Sequence, residues 1–188
     1  LLLFSFIGSV FLSVYAADTV YVRETQIPIL IERQDNILYY LRLDARDSHQ
    51  LDEIVLNFED GTDLVDIQAV KLYYGGTESR NVMSKNRFAP MGYMTNFTPG
   101  KTMAALPSYS ILKSKVKKPG RKVVLKGKQN LYPGINYFWI SLQMKPTTPL
   151  TEKLKVKLTS VSLDGVSAPI NVISADDIEH RMGTGVRH

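Results

Sequence analysis

The chain of 188 residues contains no cysteine. It therefore has no disulfide bond, no thiolate metal ligand, no cysteine nucleophile and no cysteine for a lipid anchor. Histidine is scarce as well, and His49, His180 and His188 are too scattered to form a metal-ligand motif. The sequence thus predicts no metal and no cofactor, and a hydrophobic core alone must hold the domain together.

Acidic residues are missing from the middle of the chain. No Asp or Glu lies between Glu78 and Glu152, and the thirteen charged residues of that stretch are all Lys or Arg. Residues 17–78 carry a net charge of −8, and residues 152–188 a net charge of zero. One half of the domain is therefore predicted to be basic, and a basic surface attracts anionic partners. Solvated strands and loops that happen to be lysine-rich are the alternative interpretation.

Charge is absent from residues 1–16, which are almost all apolar and end in Val14-Tyr15-Ala16. This pattern predicts a partial secretory signal peptide that is cleaved near Ala16. The run is shorter than the roughly 20 residues of a transmembrane helix, so no membrane span is predicted. We expect a bacterial protein that is secreted, periplasmic or on the cell surface. Sialic acids, sulfated glycans and lipid headgroups, rather than nucleic acid, are then the expected anionic partners.

Long helical patterns are missing too, and apolar residues mostly alternate with a period of two. In Lys153–Leu158 the three apolar side chains are expected to face the core and the three lysines to face water. Asn36–Leu43 and Ile135–Met144 are apolar on both faces, which predicts central strands covered on each side, with Trp139 in the core. Further strands are predicted at Thr19–Arg23, Ile27–Glu32, Asp52–Phe58, Ile67–Tyr74, Lys122–Leu125 and Val161–Leu163.

Asp-Gly, Gly-Gly and Pro-Gly pairs separate these strands. Many short strands with such turns predict an all-β fold, an antiparallel β-sandwich of immunoglobulin-like or jelly-roll type, over residues 17–173. The polar segment Thr77–Ile111 contains three prolines and is predicted to be a long irregular insertion.

The end of the chain carries helix signals. Ser174 is a suitable cap, Asp176 and Asp177 would occupy the first turn, and Gly183 would end the helix. A short C-terminal helix or linker is therefore predicted.

Three segments carry a resemblance to a known family, namely Asp18–Leu30 (DTVYVRETQIPIL), Asn36–Leu43 (NILYYLRL) and Val70–Gly76 (VKLYYGG). With the strand pattern of residues 18–188, they resemble the N-terminal module of secreted bacterial sialidases (neuraminidases). The resemblance implies a non-catalytic, carbohydrate-binding-like β-domain. In such enzymes a catalytic β-propeller follows, so residues 174–188 are expected to be a linker leading to a propeller that this sequence lacks.

The motifs of the catalytic half of that family are missing. No Ser-x-Asp-x-Gly-x-Thr-Trp box ends at Trp139, the single tryptophan, and the Ile-Pro pair at Ile27 follows Gln26 rather than arginine. The paired acids are adjacent in sequence, and neighbours on a strand point to opposite faces. The Asp-rich turn at residues 60–66 offers too few oxygen ligands for calcium. No catalytic residue is predicted for this chain, whereas the resemblance implies that its parent is an exo-α-sialidase, a glycoside hydrolase.

Sugar binding needs an exposed aromatic ring to stack on a pyranose, planar amides for the hydroxyls, and Arg or Lys for the carboxylate of a sialic acid. Tyr73 and Tyr74 are consecutive in a predicted strand, so one should face the core and the other should face outward. Packing is the commoner role of such aromatic side chains, because aromatic residues dominate protein cores. The predicted ligand-binding residues are Tyr73, Tyr74, Arg80, Arg87, Tyr93 and Asn96.

The resemblance predicts an accessory module that targets a secreted exo-α-sialidase to sialylated glycans or mucin glycoproteins, or that supports its catalytic propeller. A structural or adhesin-like protein-interaction domain that binds no sugar is the alternative hypothesis. A small hydrolase of unrecognised type is a third.

Overall fold

The computed structural model of the chain describes residues 18–25, 28–77, 111–172 and 180–183. Within these residues there is no α-helix, and no helix is long and apolar enough to cross a membrane. The elements are β1 (Thr19–Glu24), β2 (Ile29–Leu30), β3 (Asn36–Ala45), β4 (Gln50–Phe58), the 3₁₀ turn η1 (Leu64–Asp66), β5 (Ile67–Thr77), β6 (Ile111–Lys117), β7 (Lys122–Asn130), β8 (Gly134–Met144), β9 (Lys153–Leu154), β10 (Val156–Leu163), β11 (Val166–Ser167), β12 (Ile170–Val172) and β13 (His180–Gly183).

The strands form two large sheets and one small sheet. The six-stranded sheet has the order β12-β1-β3-β8-β5-β6, the four-stranded sheet β11-β10-β4-β7, and the small sheet β2-β13-β9. Neighbouring strands are antiparallel except in the pairs β1–β12 and β2–β13, which are parallel. The predicted all-β sandwich is confirmed.

The two large sheets pack against each other around one main core. Leu41 and Phe138 of the six-stranded sheet belong to the same buried cluster as Leu56, Leu125 and Val161 of the four-stranded sheet. The cluster forms because alternate apolar residues of each strand point to the same face of its sheet.

A second buried cluster lies on the opposite face of the six-stranded sheet. It consists of Ile37, Tyr40, Tyr137 and Trp139, and Tyr73 packs against it. The prediction that the strands around residues 36–43 and 135–144 are covered on both faces is therefore confirmed, as is the burial of Trp139, which is 1% exposed.

Some strand boundaries differ from the prediction. The predicted strand Lys153–Leu158 is divided into β9 and β10 at Lys155, and the strand predicted at Ile27–Glu32 is limited to β2 among the described residues. Strand β6 was not predicted, because its Lys-Ser-Lys pattern resembles a solvated loop. It is an edge strand that pairs with β5 alone, and such a strand needs few apolar residues.

The predicted helix ending at Gly183 is wrong for its last four residues. His180–Gly183 is strand β13, which pairs with β2 on one side and β9 on the other. Met182 enters the main core in this conformation, so tertiary burial outweighs the local capping pattern. Residues 174–179, the predicted signal peptide at 1–16 and most of the predicted insertion at 77–111 lie outside the described residues.

Candidate functional site

The predicted binding residues fall into two groups. Tyr74 is 6% exposed and belongs to the main core, whereas the neighbouring Tyr73 is half-buried and points to the opposite face of the sheet. The alternation predicted for this pair is therefore confirmed. Arg80, Arg87, Tyr93 and Asn96 lie outside the described residues.

Tyr73 belongs to a polar cluster centred on Asp35. One carboxylate oxygen of Asp35 accepts hydrogen bonds from Lys71 Nζ (2.9 Å), Tyr73 Oη (3.0 Å) and Ser141 Oγ (2.8 Å). Lys71 also donates to the backbone carbonyl of Gln34 at 2.8 Å, and its side chain is only 6% exposed. Residues on β5 and β8 are thereby tied to the loop before β3.

These contacts define the protonation states in the cluster. Burial raises the pKa of Asp35, but the hydrogen bonds from Lys71, Ser141 and Tyr73 outweigh this effect, so the net pKa is lowered. Burial and the hydrogen bond to Asp35 raise the pKa of Tyr73 well above its ordinary value. Tyr73 is therefore a protonated donor to a charged carboxylate, and the cluster ties β5 and β8 to the loop before β3.

The described part of the basic half forms one edge of the sandwich. Strands β6 and β7 are the edge strands of the two large sheets and lie side by side. Residues 111–130 contain no acidic residue. We call the following set the basic edge: Lys113, Lys115, Lys117, Lys118, Arg121, Lys122, Lys126 and Lys128.

The charges of the basic edge are largely available to a partner. All of its residues are exposed except Lys113, which is partly exposed. Among the described residues, only Arg121 of this set has an ion-pair partner, Asp60 at 3.0 Å. An exposed and unneutralised row of cations attracts and concentrates anions.

A histidine connects three parts of the chain at another site. His49 contacts Asp18 through Nε2 (2.9 Å) and Asp164 through Nδ1 (2.7 Å). Asp164 also accepts a hydrogen bond from the backbone nitrogen of Gln50 at 2.9 Å. The hydrogen bond to Asp164, helped by the charges of Asp18 and Asp164, raises the pKa of His49. The same bond lowers the pKa of Asp164.

The raised pKa of His49 implies that the stability of the domain depends on pH. The contribution of protonated His49 is fully present below about pH 6.5 and is lost as the pH rises through its raised folded-state pKa. The contribution of Asp164 is lost only in acid, as the pH falls through its lowered pKa. Urea unfolding at a series of pH values is expected to show falling stability above pH 6.5, and His49→Gln should flatten this slope. An unchanged slope in the variant would show that the bridge contributes nothing.

Within the described residues no group of three or more His, Cys, Asp or Glu side chains is arranged to hold a metal ion.

Comparison with known proteins identifies the fold family. The model of the family described as the N-terminal domain of BNR-repeat neuraminidase matches residues 17–167. The chain belongs to this family. The resemblance predicted from the sequence is thereby confirmed.

Two relatives place the neuraminidase N-terminal domain in a longer protein. The chain is 62% identical over 175 residues to a sialidase from Bacteroides fragilis (strain YCH46), a match that covers 93% of the chain and 32% of that protein. It is also similar to the solved structure of Hadza microbial sialidase Hz136, with a TM-score of 0.68 and 34% identity, covering 89% of the chain and 32% of that one. The chain thus spans about a third of the length of each of these two sialidases.

Sequence reasoning missed the Asp35 cluster of this neuraminidase N-terminal domain. The available signal was Lys71, a single charge inside the apolar strand Ile67–Tyr74. A charged side chain on a strand next to a doubly covered one is rarely buried without a partner. The partner itself, 36 residues earlier in the chain, could not be identified from the sequence.

Proposed function

We propose that the chain is the accessory module of a secreted exo-α-sialidase and that it holds the enzyme on sialylated glycans through the basic edge. The observation that carries this proposal is the exposed row of cations on β6 and β7, in a segment without any acidic residue. Export agrees with the apolar residues 1–16 and with the absence of cysteine.

The physical basis is the chemistry of sialic acid, which carries a carboxylate at the end of a glycan. Carboxylates form charge-assisted hydrogen bonds with Lys and Arg. A single exposed ion pair contributes about 0–1 kcal/mol, well short of the roughly 4 kcal/mol that a millimolar Kd requires, so one such contact does not hold a glycan by itself. Side chains on one face of a strand repeat about every 7 Å, so β6 and β7 can contact several sialic acids of a mucin at once.

Lysines on an edge strand also prevent edge-to-edge aggregation. Protection of this kind does not account for Lys118 and Arg121, which lie in the turn between β6 and β7 and not on either strand. The strands at the opposite edges of the two large sheets, β11 and β12, contain no charged residue and are only two and three residues long. Strands this short need no charged residue for protection, so the binding role rests on the cations that lie outside the strands and on the mucin experiment.

The test compares two double variants with the same change in charge. Lys117→Gln/Lys122→Gln removes one cation from each strand of the basic edge. Each contact is worth up to about 1 kcal/mol, so affinity for immobilised sialylated mucin is expected to fall about 5- to 30-fold. The control, Arg23→Gln/Arg181→Gln, removes two cations on β1 and β13 and should bind as the unmodified chain does.

Salt and desialylated mucin complete this experiment. Raising the salt concentration from about 0.05 M to 0.5 M should weaken binding to sialylated mucin, because screening shortens the range of charge interactions. Desialylated mucin should bind more weakly than the sialylated form. Equal affinity of the two double variants, or of the two mucins, would contradict the proposal.

A second candidate function is support of the catalytic domain, and one observation favours it. Val65 on η1 and Leu150 on the β8–β9 loop are 70% and 51% exposed. The two loops are joined where Lys145 donates its backbone N–H to the carbonyl of Asp66 at 2.9 Å. Exposed apolar side chains on two loops that contact each other can contribute to one apolar patch, and a large patch of this kind marks an interface with another domain. If the mucin experiment fails, this role is the better account.

A further inference from the structure

One aromatic side chain differs from all the others that the structure describes. Tyr132, in the short loop between β7 and β8, is 59% exposed. Every other described Tyr, Phe or Trp side chain is buried or partly buried. A single exposed apolar residue is ordinary, so the meaning of Tyr132 depends on how its loop is built.

The loop is held by a buried amide. Asn136 is fully buried, and its side chain contacts both backbone polar groups of Tyr132: Nδ2 donates to the carbonyl at 2.8 Å and Oδ1 accepts from the N–H at 3.2 Å. Nδ2 also donates to the carbonyl of Gly134 at 3.2 Å, and Oδ1 accepts from the hydroxyl of Tyr74 at 3.1 Å. The hydrogen-bonding capacity of Asn136 is thus directed at the backbone that carries Tyr132.

Two further features stiffen the same backbone. Leu131, the residue before Tyr132, is 1% exposed and donates its N–H to the carbonyl of His49 at 2.7 Å. Pro133 has a fixed φ, and Gly134 has a φ of +101°, which favours glycine. The exposed ring therefore projects from an ordered loop, so little conformational entropy remains to be lost when a ligand binds.

Exposed polar residues lie at the same end of the sandwich as Tyr132. The bond from Leu131 to His49 brings the β3–β4 loop, with its exposed Arg46 and Asp47, to the same end of the sandwich. The exposed Asn130 lies two residues before Tyr132. An exposed ring at the same end of the sandwich as an exposed amide, carboxylate and guanidinium matches the chemistry of a pyranose, which has an apolar face and a rim of hydroxyls.

We propose that Tyr132 is a stacking platform for a neutral pyranose, such as the β-galactoside to which a sialic acid is attached. The inference rests on the proposed glycan-binding function and adds a second contact of a different kind. The cations of β7 lead along the strand from Lys122 to Lys128 towards this loop, so one glycan chain can place its acid on the basic edge and its neutral ring on Tyr132.

The test uses lactose, a neutral β-galactoside, in about 0.5 M salt, which screens the basic edge. An NMR titration of the chain is expected to give saturable shifts in the millimolar range. Tyr132→Ala should weaken lactose binding about tenfold or more, because the stacking surface is lost. Tyr132→Phe keeps the ring and should bind within about threefold of the unmodified chain.

The outcomes separate the two proposals. No saturable shift with lactose, or equal affinity of Tyr132→Ala and the unmodified chain, would overturn the platform. Loss of lactose binding in Tyr132→Ala would support the stacking platform. Equal binding of sialylated and desialylated mucin would contradict only the role of the basic edge and would leave the platform standing. Thermal unfolding of Tyr132→Ala should match that of the unmodified chain, because the ring contributes little to the core.

Discussion

Gly75→Ala is expected to destabilise the domain by about 3 kcal/mol or more, although it adds only one methyl group. A Cβ at this position would lie 1.5 Å from Cζ3 and 1.7 Å from Cη2 of Trp139. The indole cannot easily move away, because it is 1% exposed and packs edge-on against Tyr40 at a centroid distance of 6.3 Å. Either the ring or strand β5 must shift.

A double-mutant cycle, measured by chemical denaturation, can test whether the contact with Trp139 causes this loss of stability. Trp139→Leu alone should cost about 2–4 kcal/mol through the cavity it leaves. The double variant Gly75→Ala/Trp139→Leu should then lose less free energy of unfolding than the two single variants lose together. The smaller side chain at position 139 makes room for the added methyl group. Gly120→Ala is the matched control, since nothing lies within 4 Å of its Cβ. If Gly75→Ala were as stable as Gly120→Ala, the close contact would be absent in solution.

Lys71→Met is expected to destabilise the domain by about 2–4 kcal/mol, because it leaves the carboxylate of Asp35 without its cationic partner. The side chain of Lys71 is 6% exposed and that of Asp35 is 25% exposed, so water compensates only part of the loss. Lys122→Met removes an exposed lysine and should change stability by less than about 0.5 kcal/mol. Urea unfolding of both variants measures the difference.

The fall of the unfolding free energy at acid pH provides an independent check on the Asp35 cluster. The folded-state pKa of Asp35 is lowered, so its contribution is present above its ordinary value of 3.8 and is lost as the pH falls through the lowered pKa. Lys71→Met removes one cause of the lowering, and the variant should therefore lose less stability than the unmodified chain between about pH 4 and pH 2. If the variant and the unmodified chain lost the same stability over this pH range, Lys71 would not stabilise the Asp35 carboxylate.

The apolar pattern was sufficient to predict most of the fold. Alternating side chains placed Ile54, Leu56 and Phe58 on one buried face, as the structure confirms. Because successive side chains on a strand point to opposite faces, such a pattern specifies both the strand and its buried side. Boundaries were less predictable. Strand β6 forms through pairing with β5, and its own apolar pattern is weak.

The sequence predicted the basic surface but not its location on the fold. The gap in acidic residues pointed to a basic surface whatever the topology, since lysine side chains almost always reach water. The sequence did not indicate that these lysines would gather on two edge strands that belong to different sheets. Nor did it distinguish the exposed Tyr132 from the other tyrosines, because its exposure depends on the loop that Asn136 holds.

The sequence by itself determined the all-β class, the doubly covered central strands, the basic half and the family resemblance. The first three follow from local periodicity and composition, which each segment carries independently of its neighbours, and the resemblance rests on the wording of three segments. Tertiary structure alone decided the pairing of Asp35 with Lys71, the close approach of Gly75 to Trp139, the Asn136 support beneath Tyr132 and the strand at His180–Gly183. Three of these four contacts join residues tens of positions apart, and the fourth joins the backbone of Tyr132 to an amide that only the packed core can bury. Such contacts gain their energy from desolvation and packing, which exist only after the sheets have assembled.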